Sequence, residues 1–183
     1  MLRLSSSSTT RAMLLKNASI EFIQESVEFD EETIKEKNPK SFVYKATMGK
    51  YEANFSHFGI EEMPLLVADT VVTCEGKILR KAKSKQEAKE MLLLQSGSVT
   101  SIITCMIYHS KNLKLIDISY TDYIFKEFDM KDMQKYLDSK KYIGKAGGCM
   151  VEGFCKPYIK EVKGLESVAM GLNVELLKKF YEK

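Results

Sequence analysis

Long apolar runs are missing from this sequence of 183 residues. No run approaches the roughly 18 apolar residues that a membrane-spanning helix needs, so we expect no membrane contact. A run of serines begins directly after Leu4, which leaves no room for the apolar core of a signal peptide. We therefore expect a cytoplasmic protein.

Histidine and cysteine are scarce as well. With two separated histidines, His57 and His109, no Ser-His-Asp triad can be nominated. The four cysteines contain no Cys-x-x-Cys pair, which argues against a structural zinc site. We expect all of them to be reduced, half-buried thiols, as is usual in the cytosol: Cys74, Cys105, Cys149 and Cys155.

The consensus motifs of common nucleotide-binding folds and hydrolases are also absent. The sequence contains neither Gly-x-x-x-x-Gly-Lys, Gly-x-Gly-x-x-Gly nor Gly-x-Ser-x-Gly. Its net charge of +3 is too small to indicate a dedicated nucleic-acid binder. A local basic pocket for a phosphorylated ligand remains compatible with this balance.

What stands out instead is a tract of hydroxyl side chains from Ser5 to Thr10, followed by Arg11. Three interpretations are open: a flexible serine-rich tail, an organellar transit peptide, or a phosphate-binding loop before a helix N-terminus. The tract lies between a short strand at 2–4 and a helix, and an extended segment at 20–30 follows without a linker. This order favours the phosphate-binding loop.

Strand-like and helical patterns alternate along the rest of the chain. An apolar run at 64–74 predicts a strand buried on both faces, and runs at 99–108 and 113–125 predict a hairpin. Cap residues predict helix starts at Ser8 or Thr9, Asn38-Pro39, Ser84 and Asp129, with a closing helix at 174–180. Hairpins and crossovers together predict an α/β fold with a mixed sheet.

Asp69 is the most informative single residue, because it lies within the apolar run at 64–74. A buried carboxylate is costly unless it is paired, hydrogen-bonded or bound to a metal, so a functional role competes with simple capping of a loop. The acidic cluster at 30–32 and the basic stretch at 77–85 each suit a solvated surface when taken alone. Taken together, these groups suit phosphate chemistry.

Several segments in order resemble the Maf family of nucleoside triphosphate pyrophosphatases, once described as septum-formation inhibitors. They are "LSSSSTTRAMLL", "VADTVV", "GKILRKAKSKQEAKEML", "SG" at 96–97, "KAGG…EG" at 145–153 and "GL" at 171–172. The resemblance covers essentially the whole chain. It implies a single domain at 1–183 with a central mixed β-sheet flanked by helices and two lobes around a nucleotide-binding cleft, of the Maf/ITPase type.

The same resemblance implies an enzyme that uses a divalent cation, Mg²⁺ or Mn²⁺, to hydrolyse nucleoside triphosphates to the monophosphate and pyrophosphate. Such an enzyme would remove modified or non-canonical nucleotides, with a link to the arrest of cell division. The alternative is a non-catalytic nucleotide-binding regulator of septum formation. We expect a nucleoside triphosphate as partner, without nucleic acid or membrane, and leave open whether the chain forms a homodimer.

Residue by residue, the resemblance implies roles for ten positions. Asp69 matches the general base and Glu31 an acid linked to metal or water activation, so both are expected to bind the metal. The phosphate-binding positions are Ser6, Ser8, Arg11, Lys45 and Lys81. The positions expected to recognise the base are Thr10, Thr70 and Glu152.

The chain also departs from the family pattern. Thr9-Thr10 replaces Pro-Arg, which removes one positive charge, and Ala82 replaces the proline after Lys81. Further along, Gly144 replaces an aspartate, Glu152 a frequent glutamine and Asn173 a proline. These changes leave the preferred base open.

Overall fold

The computed structural model describes residues 1–181, which form an α/β fold with a seven-stranded mixed sheet flanked by helices. The strands are β1 (Leu2–Leu4), β2 (Phe22–Gln24), β3 (Leu65–Cys74), β4 (Lys77–Leu79), β5 (Val99–His109), β6 (Lys114–Phe125) and β7 (Ile159–Lys163). The α-helices are α1 (Thr9–Asn17), α2 (Pro39–Phe58), α3 (Lys85–Gln95), α4 (Met130–Asp138), α5 (Glu166–Ala169) and α6 (Val174–Tyr181). The predicted fold class is confirmed.

Pairing in the sheet follows the order β2-β1-β3-β5-β6-β7, with β4 paired to β3. β1 runs parallel to both β2 and β3, and Leu4 lies opposite Gln24 on one side and Leu66 on the other. β4 is antiparallel to β3, and β7 is antiparallel to β6. Parallel and antiparallel pairs therefore coexist, as the alternation of crossovers and hairpins predicted.

Helix starts agree with the local sequence signals. At four starts the side chain of the cap residue accepts a backbone N–H from the first turn: Ser8, Asn38, Ser84 and Asp129. Such bonds satisfy donors that have no partner inside the helix. These caps are encoded within three or four residues, which is why they could be read from the sequence.

One compact unit comprises residues 1–70 and 103–120 together with the described residues from 165 onward. Alternate residues of β3 enter two different apolar clusters in this unit. Leu66 and Ala68 pack in a cluster that includes β1 and α1, whereas Leu65 and Val67 pack with Tyr51 of α2. β3 is thus buried on both faces here, as its continuous apolar run predicted.

The other compact unit comprises residues 71–102 and 121–164. An aromatic cluster surrounds Phe128, whose ring centroid lies 5.0 Å from Tyr158, 5.2 Å from Phe154 and 5.4 Å from Phe125. Gln95 is buried in the same unit and donates from Nε2 to the carbonyl of Gly147 at 2.7 Å. This bond connects the end of α3 to the loop that contains Gly147 and Gly148.

Cys149 and Cys155 form a disulfide bond in this second unit. The expectation of four reduced thiols is therefore wrong for these two, whereas Cys74 and Cys105 are free and buried. The pairing depends on the turns that bring Cys149 back towards Cys155 across the intervening residues. No Cys-x-x-Cys spacing signals such a local contact in the sequence.

Three irregular segments also differ from the sequence-based expectation. The extended segment predicted at 20–30 forms a strand only at Phe22–Gln24. The sequence at 155–162 also suggests a strand, but the strand there begins at Ile159, after a short 3-10 helix. Helix α5 has four residues and carries no side-chain cap, so no local signal announced it. Across residues 1–181, no helix has the length and apolar character needed to cross a membrane.

Candidate phosphate-binding and catalytic site

The serine tract forms the tight connection between β1 and α1. Ser5 donates its backbone N–H to the carbonyl of Leu66 at 2.8 Å, which anchors the start of the loop to β3. Ser8 caps α1 by accepting the N–H of Arg11 at 3.3 Å, and its own N–H donates to Ser6 Oγ at 3.2 Å. Gln24 donates to the carbonyl of Ser6 at 2.6 Å. The loop is therefore held by its own serine side chains together with contacts to β2 and β3.

Arg11 follows the serine loop, and its positively charged guanidinium donates hydrogen bonds to three different residues. Its Nε donates to the carbonyl of Gly171 at 2.8 Å, Nη1 to Ser6 Oγ at 3.0 Å and Nη2 to Thr70 Oγ1 at 3.1 Å. The residue is only 9% exposed. Burial lowers the pKa of the guanidinium, and the negative charges of Asp69 and Glu31 oppose this shift.

Two carboxylates converge on a single ammonium group. Lys50 Nζ lies 3.0 Å from Asp69 Oδ1 and 2.5 Å from Glu31 Oε1. Burial raises the pKa of Asp69, which is 8% exposed; Lys50 is the strongest opposing influence, whereas Glu31 adds to the rise. Asp69 is thus a more basic carboxylate than one in water, and a cation already sits between it and Glu31.

Glu31 reaches Lys50 because the preceding segment is fastened to α2 at two points. Asn54 accepts the backbone N–H of Val27 at 2.8 Å and donates to the carbonyl of the same residue at 3.3 Å. The ring of Phe29 fills the space beside Gly49, where an added Cβ would come within 2.2 Å of Cζ. Both contacts come from consecutive turns of α2, on either side of Lys50.

Part of this group of residues lines a pocket of about 710 Å³, whose described lining does not include Asp69 or Thr70. Its lining includes the whole loop from Ser5 to Ser8, Arg11, the segment 26–31 and Lys50. One side therefore offers hydroxyl groups, the helix N-terminus and a guanidinium, which suit phosphate oxygens. The other side offers Glu31, with Asp69 reached through Lys50.

The donor set fits a hard divalent cation that is shared with a phosphate group. Mg²⁺ in phosphate-handling sites commonly takes one or two carboxylates and completes its shell with water and phosphate oxygens. Glu31 and Asp69 supply two carboxylates close together, and the Lys50 ammonium already contacts one oxygen of each. In the described part of the chain, no group of three or more His, Cys, Asp or Glu side chains could hold a metal by itself.

Among the predicted site residues, the structure brings together Ser6, Ser8, Arg11, Glu31, Asp69 and Thr70. Lys45 is placed elsewhere: its ammonium pairs with Glu36, its side chain is 57% exposed, and it lines a separate cavity of about 500 Å³. Thr10 is half-buried in the first turn of α1 and is not among the residues described as lining the 710 Å³ pocket.

Lys81 and Glu152 belong to the other compact unit. Lys81 is exposed and forms an isolated antiparallel bridge with Ala146. Glu152 is exposed in the turn enclosed by the Cys149–Cys155 disulfide. Their expected roles in phosphate binding and base recognition stay predictions.

Sequence reasoning missed Lys50, Gln24 and Asn54. Helical spacing was the signal that could have found Lys50, because it lies four residues after Ala46 and four before Asn54, and both of these are buried. No comparable pattern marks Gln24, whose partners are backbone carbonyls of the serine loop.

Comparison with known proteins now decides the family. A sequence profile described as Maf-like protein matches residues 1–183. The chain belongs to the Maf-like family. The resemblance seen in the scattered motifs is thereby confirmed over the full length.

Three relatives similar to this chain over nearly its full length share one name. A protein from a Nitratiruptor species is 54% identical over 179 residues, covering 97% of this chain and 96% of its own length. One from Helicobacter pylori is 41% identical, covering 94% and 90%, and one from Campylobacter jejuni is 39% identical, covering 98% and 100%. Each is named nucleoside triphosphate pyrophosphatase.

Proposed function

We propose that this chain is a nucleoside triphosphate pyrophosphatase, which hydrolyses its substrate to the nucleoside monophosphate and pyrophosphate. Membership of the Maf-like family and three relatives of that name support the reaction class. The observation that carries the proposal is the convergence of Glu31 and Asp69 on Lys50, beside an ordered serine loop and Arg11. A site that only binds phosphate has no need for two carboxylates.

The serine loop and the N-terminus of α1 bind the triphosphate. Hydroxyl groups of Ser6 and Ser8 donate to phosphate oxygens, and the positive end of the helix dipole favours their charge. Arg11 adds a fixed positive charge: three of its five N–H groups are engaged with protein acceptors, which leaves two for substrate. A guanidinium held in this way loses little freedom when the substrate binds.

Asp69 acts as the general base. Its Oδ1 is bonded to Lys50, so its Oδ2 takes the proton of the water whose oxygen attacks the α-phosphorus. The bond between the α-phosphorus and the bridging oxygen breaks, and its electron pair leaves with pyrophosphate. In the metal-free protein, burial raises the pKa of Asp69, and Lys50 opposes this rise.

Glu31 and Asp69 are also the residues that would hold Mg²⁺ or Mn²⁺ together with phosphate oxygens and water. When bound, such a cation neutralises charge on the phosphates. Lys50 keeps the two carboxylates directed at one point and balances part of their charge. Lys45, which the resemblance assigned to phosphate binding, pairs with Glu36 instead.

Recognition of the base stays with Thr10 and Glu152 in this proposal, whereas the Thr70 hydroxyl, expected to join them, is bonded to Arg11. An ionised glutamate at 152 only accepts hydrogen bonds, whereas the glutamine frequent in the family both donates and accepts. Glu152 therefore favours bases that present N–H groups, including modified ones. Lys81 is assigned to the phosphates.

The test is a panel of ordinary and modified nucleoside triphosphates, incubated with Mg²⁺ or Mn²⁺ while pyrophosphate release is measured. We expect release from at least one triphosphate, no orthophosphate, and loss of activity on removal of the cation. Asp69→Asn keeps the size of the side chain and should lower turnover by roughly 10² to 10⁴. A parent protein that binds triphosphates without releasing pyrophosphate would be a non-catalytic binder, and the proposal would be wrong.

A further inference from the structure

A chain of side-chain hydrogen bonds runs from Arg11 away from the pocket into the interior of the same compact unit. Arg11 Nη2 donates to Thr70 Oγ1 at 3.1 Å, and Thr70 Oγ1 lies 2.9 Å from Thr104 Oγ1. Thr104 Oγ1 in turn donates to the carbonyl oxygen of Val168 at 2.8 Å. Thr104 is fully buried on β5, and it is not among the residues described as lining the pocket.

The two ends of this chain set the direction of every proton in it. A carbonyl oxygen such as that of Val168 only accepts, and a guanidinium such as that of Arg11 only donates. Each threonine hydroxyl has one proton, so Thr104 gives its proton to Val168 and Thr70 must give its proton to Thr104. The lone pairs of Thr70 are thereby turned towards Arg11.

A second contact from the same region holds the other edge of the guanidinium. The carbonyl of Gly171 accepts from Arg11 Nε at 2.8 Å. Gly171 has a φ of +104°, and an added Cβ would lie 3.2 Å from Thr70 Oγ1 and 3.3 Å from Arg11 Nε. Glycine at 171 thus allows the backbone to approach both groups closely.

We propose that Thr104 is a positioning residue for phosphate binding: its hydroxyl orients Thr70, and Thr70 fixes the guanidinium of Arg11 towards the pocket. This inference rests on the proposed role of Arg11 as a phosphate ligand. It goes further by assigning a function to a buried residue that touches neither the pocket nor the carboxylates. In this proposal the buried Thr104 hydroxyl increases the affinity of the site for phosphate without contacting the ligand.

Removing this hydroxyl leaves the Thr70 proton without its acceptor. Thr104→Val keeps the shape of the side chain but cannot accept or donate, so Thr70 must turn away or remain unpaired. One net hydrogen bond corresponds to about a five- to tenfold change in affinity. We expect Thr104→Val to weaken phosphate binding by about that factor, and Thr104→Ser, which keeps the hydroxyl, to bind like the parent.

The experiment measures binding of inorganic tripolyphosphate by calorimetry, alongside KM and kcat for the best triphosphate. A double-mutant cycle combines Thr104→Val with Arg11→Ala. If Thr104 acts through Arg11, its effect disappears in the Arg11→Ala background, whereas a purely structural effect persists there. Should the valine variant fail to fold, Thr104→Ala and Thr104→Ser form a second pair that differs only in the hydroxyl.

Equal tripolyphosphate affinity in the parent and Thr104→Val, or additivity in the cycle, would overturn this inference and leave the pyrophosphatase proposal standing. A parent protein that releases no pyrophosphate would overturn the proposed function instead. The tripolyphosphate cycle can still be read in that case, because it measures binding and not turnover. The two failures are therefore distinguishable.

Discussion

The ring of Phe29 occupies the space in which any residue except glycine at position 49 would place its Cβ. Phe29 lies two residues before Glu31, whose carboxylate contacts Lys50. The absence of a side chain at Gly49, in the interior of α2, therefore lets the segment that carries Glu31 lie directly against this helix.

Gly49→Ala tests this relationship. In an exposed helix interior, replacement of glycine by alanine stabilises by about 0.8 to 1 kcal/mol. Here the new Cβ would lie 2.2 Å from Phe29 Cζ, so the ring must move, and we expect the segment that carries Glu31 to shift with it. Misplacement of a catalytic group by an ångström costs on the order of 10²-fold in rate. Steady-state kinetics should show a loss of that size, while thermal denaturation shows no gain in stability.

The matched control is Phe29→Ala in the Gly49→Ala background. Removal of the ring frees the space that the new Cβ needs, so part of the lost activity should return. Parent-like kinetics for Gly49→Ala alone would mean that the segment adapts without moving Glu31.

Lys50 and Lys45 provide a second test, because they lie on the same helix and differ in their contacts. Lys50 contacts both carboxylates, whereas Lys45 pairs with Glu36 at an exposed position. Lys50→Met leaves two carboxylates facing each other without their shared cation and should lower kcat/KM by at least about 10²-fold. Lys45→Met should change kcat/KM less than about threefold. A larger loss for Lys45→Met would support the phosphate-binding role that the resemblance implies for that residue.

The two lysines also show where sequence reasoning succeeded and where it stopped. Helix α2 could be predicted from Asn38-Pro39, because a cap is a local signal. Lys45 and Lys50 are five residues apart, which places them about 140° apart around a helix. Motif similarity selected the first, whereas the buried stripe through Ala46 and Asn54 selects the second.

The remaining surprises depend on contacts between residues far apart in sequence or in irregular backbone. Asp69 could be singled out because a charge within an apolar run is conspicuous. Glu31 lies near Asp69 only in the folded chain. The segment that carries Glu31 is held by Asn54 and Gly49, which are about twenty residues further along the sequence. Thr104 looks like any other threonine of a strand, since only the folded chain places it beside Thr70.

Cys105 should make stability depend on pH under alkaline conditions. Burial raises the pKa of its thiol from 9.0 to about 11 in the folded protein. The folded state thus keeps a proton that the unfolded state loses, so the free energy of unfolding falls as pH rises from about 9 to 11. The decrease due to this group should be about 2 to 3 kcal/mol.

Denaturant unfolding of the parent and of Cys105→Ala between pH 8 and 11 isolates this contribution. All other titratable groups are the same in the two proteins. The difference between the two pH slopes therefore reports Cys105 alone. The variant should lose less stability than the parent over this interval. Parallel curves would show that the thiol is not held in its neutral form.

The Cys149–Cys155 disulfide leads to a prediction that reducing agents can check. Its short loop should contribute about 2 kcal/mol by restricting the unfolded chain. Dithiothreitol should therefore lower the free energy of unfolding of the parent by about that amount. The double variant with serine at both positions should start lower and not respond. Titration of thiols in denaturant should find two without reductant and four with it. Four thiols in both conditions would contradict the pairing.

The bond between Arg11 and Gly171 has a consequence for the order in which the protein becomes functional. The two residues are separated by 160 positions, so the guanidinium obtains this support only after synthesis has passed Gly171. A nascent chain that ends before residue 165 already contains Asp69, Glu31 and Lys50, yet it lacks both carbonyl groups on which the orientation of Arg11 depends. If Arg11 binds phosphate as proposed, a chain that stops short of Gly171 should bind it more weakly than one that includes this residue.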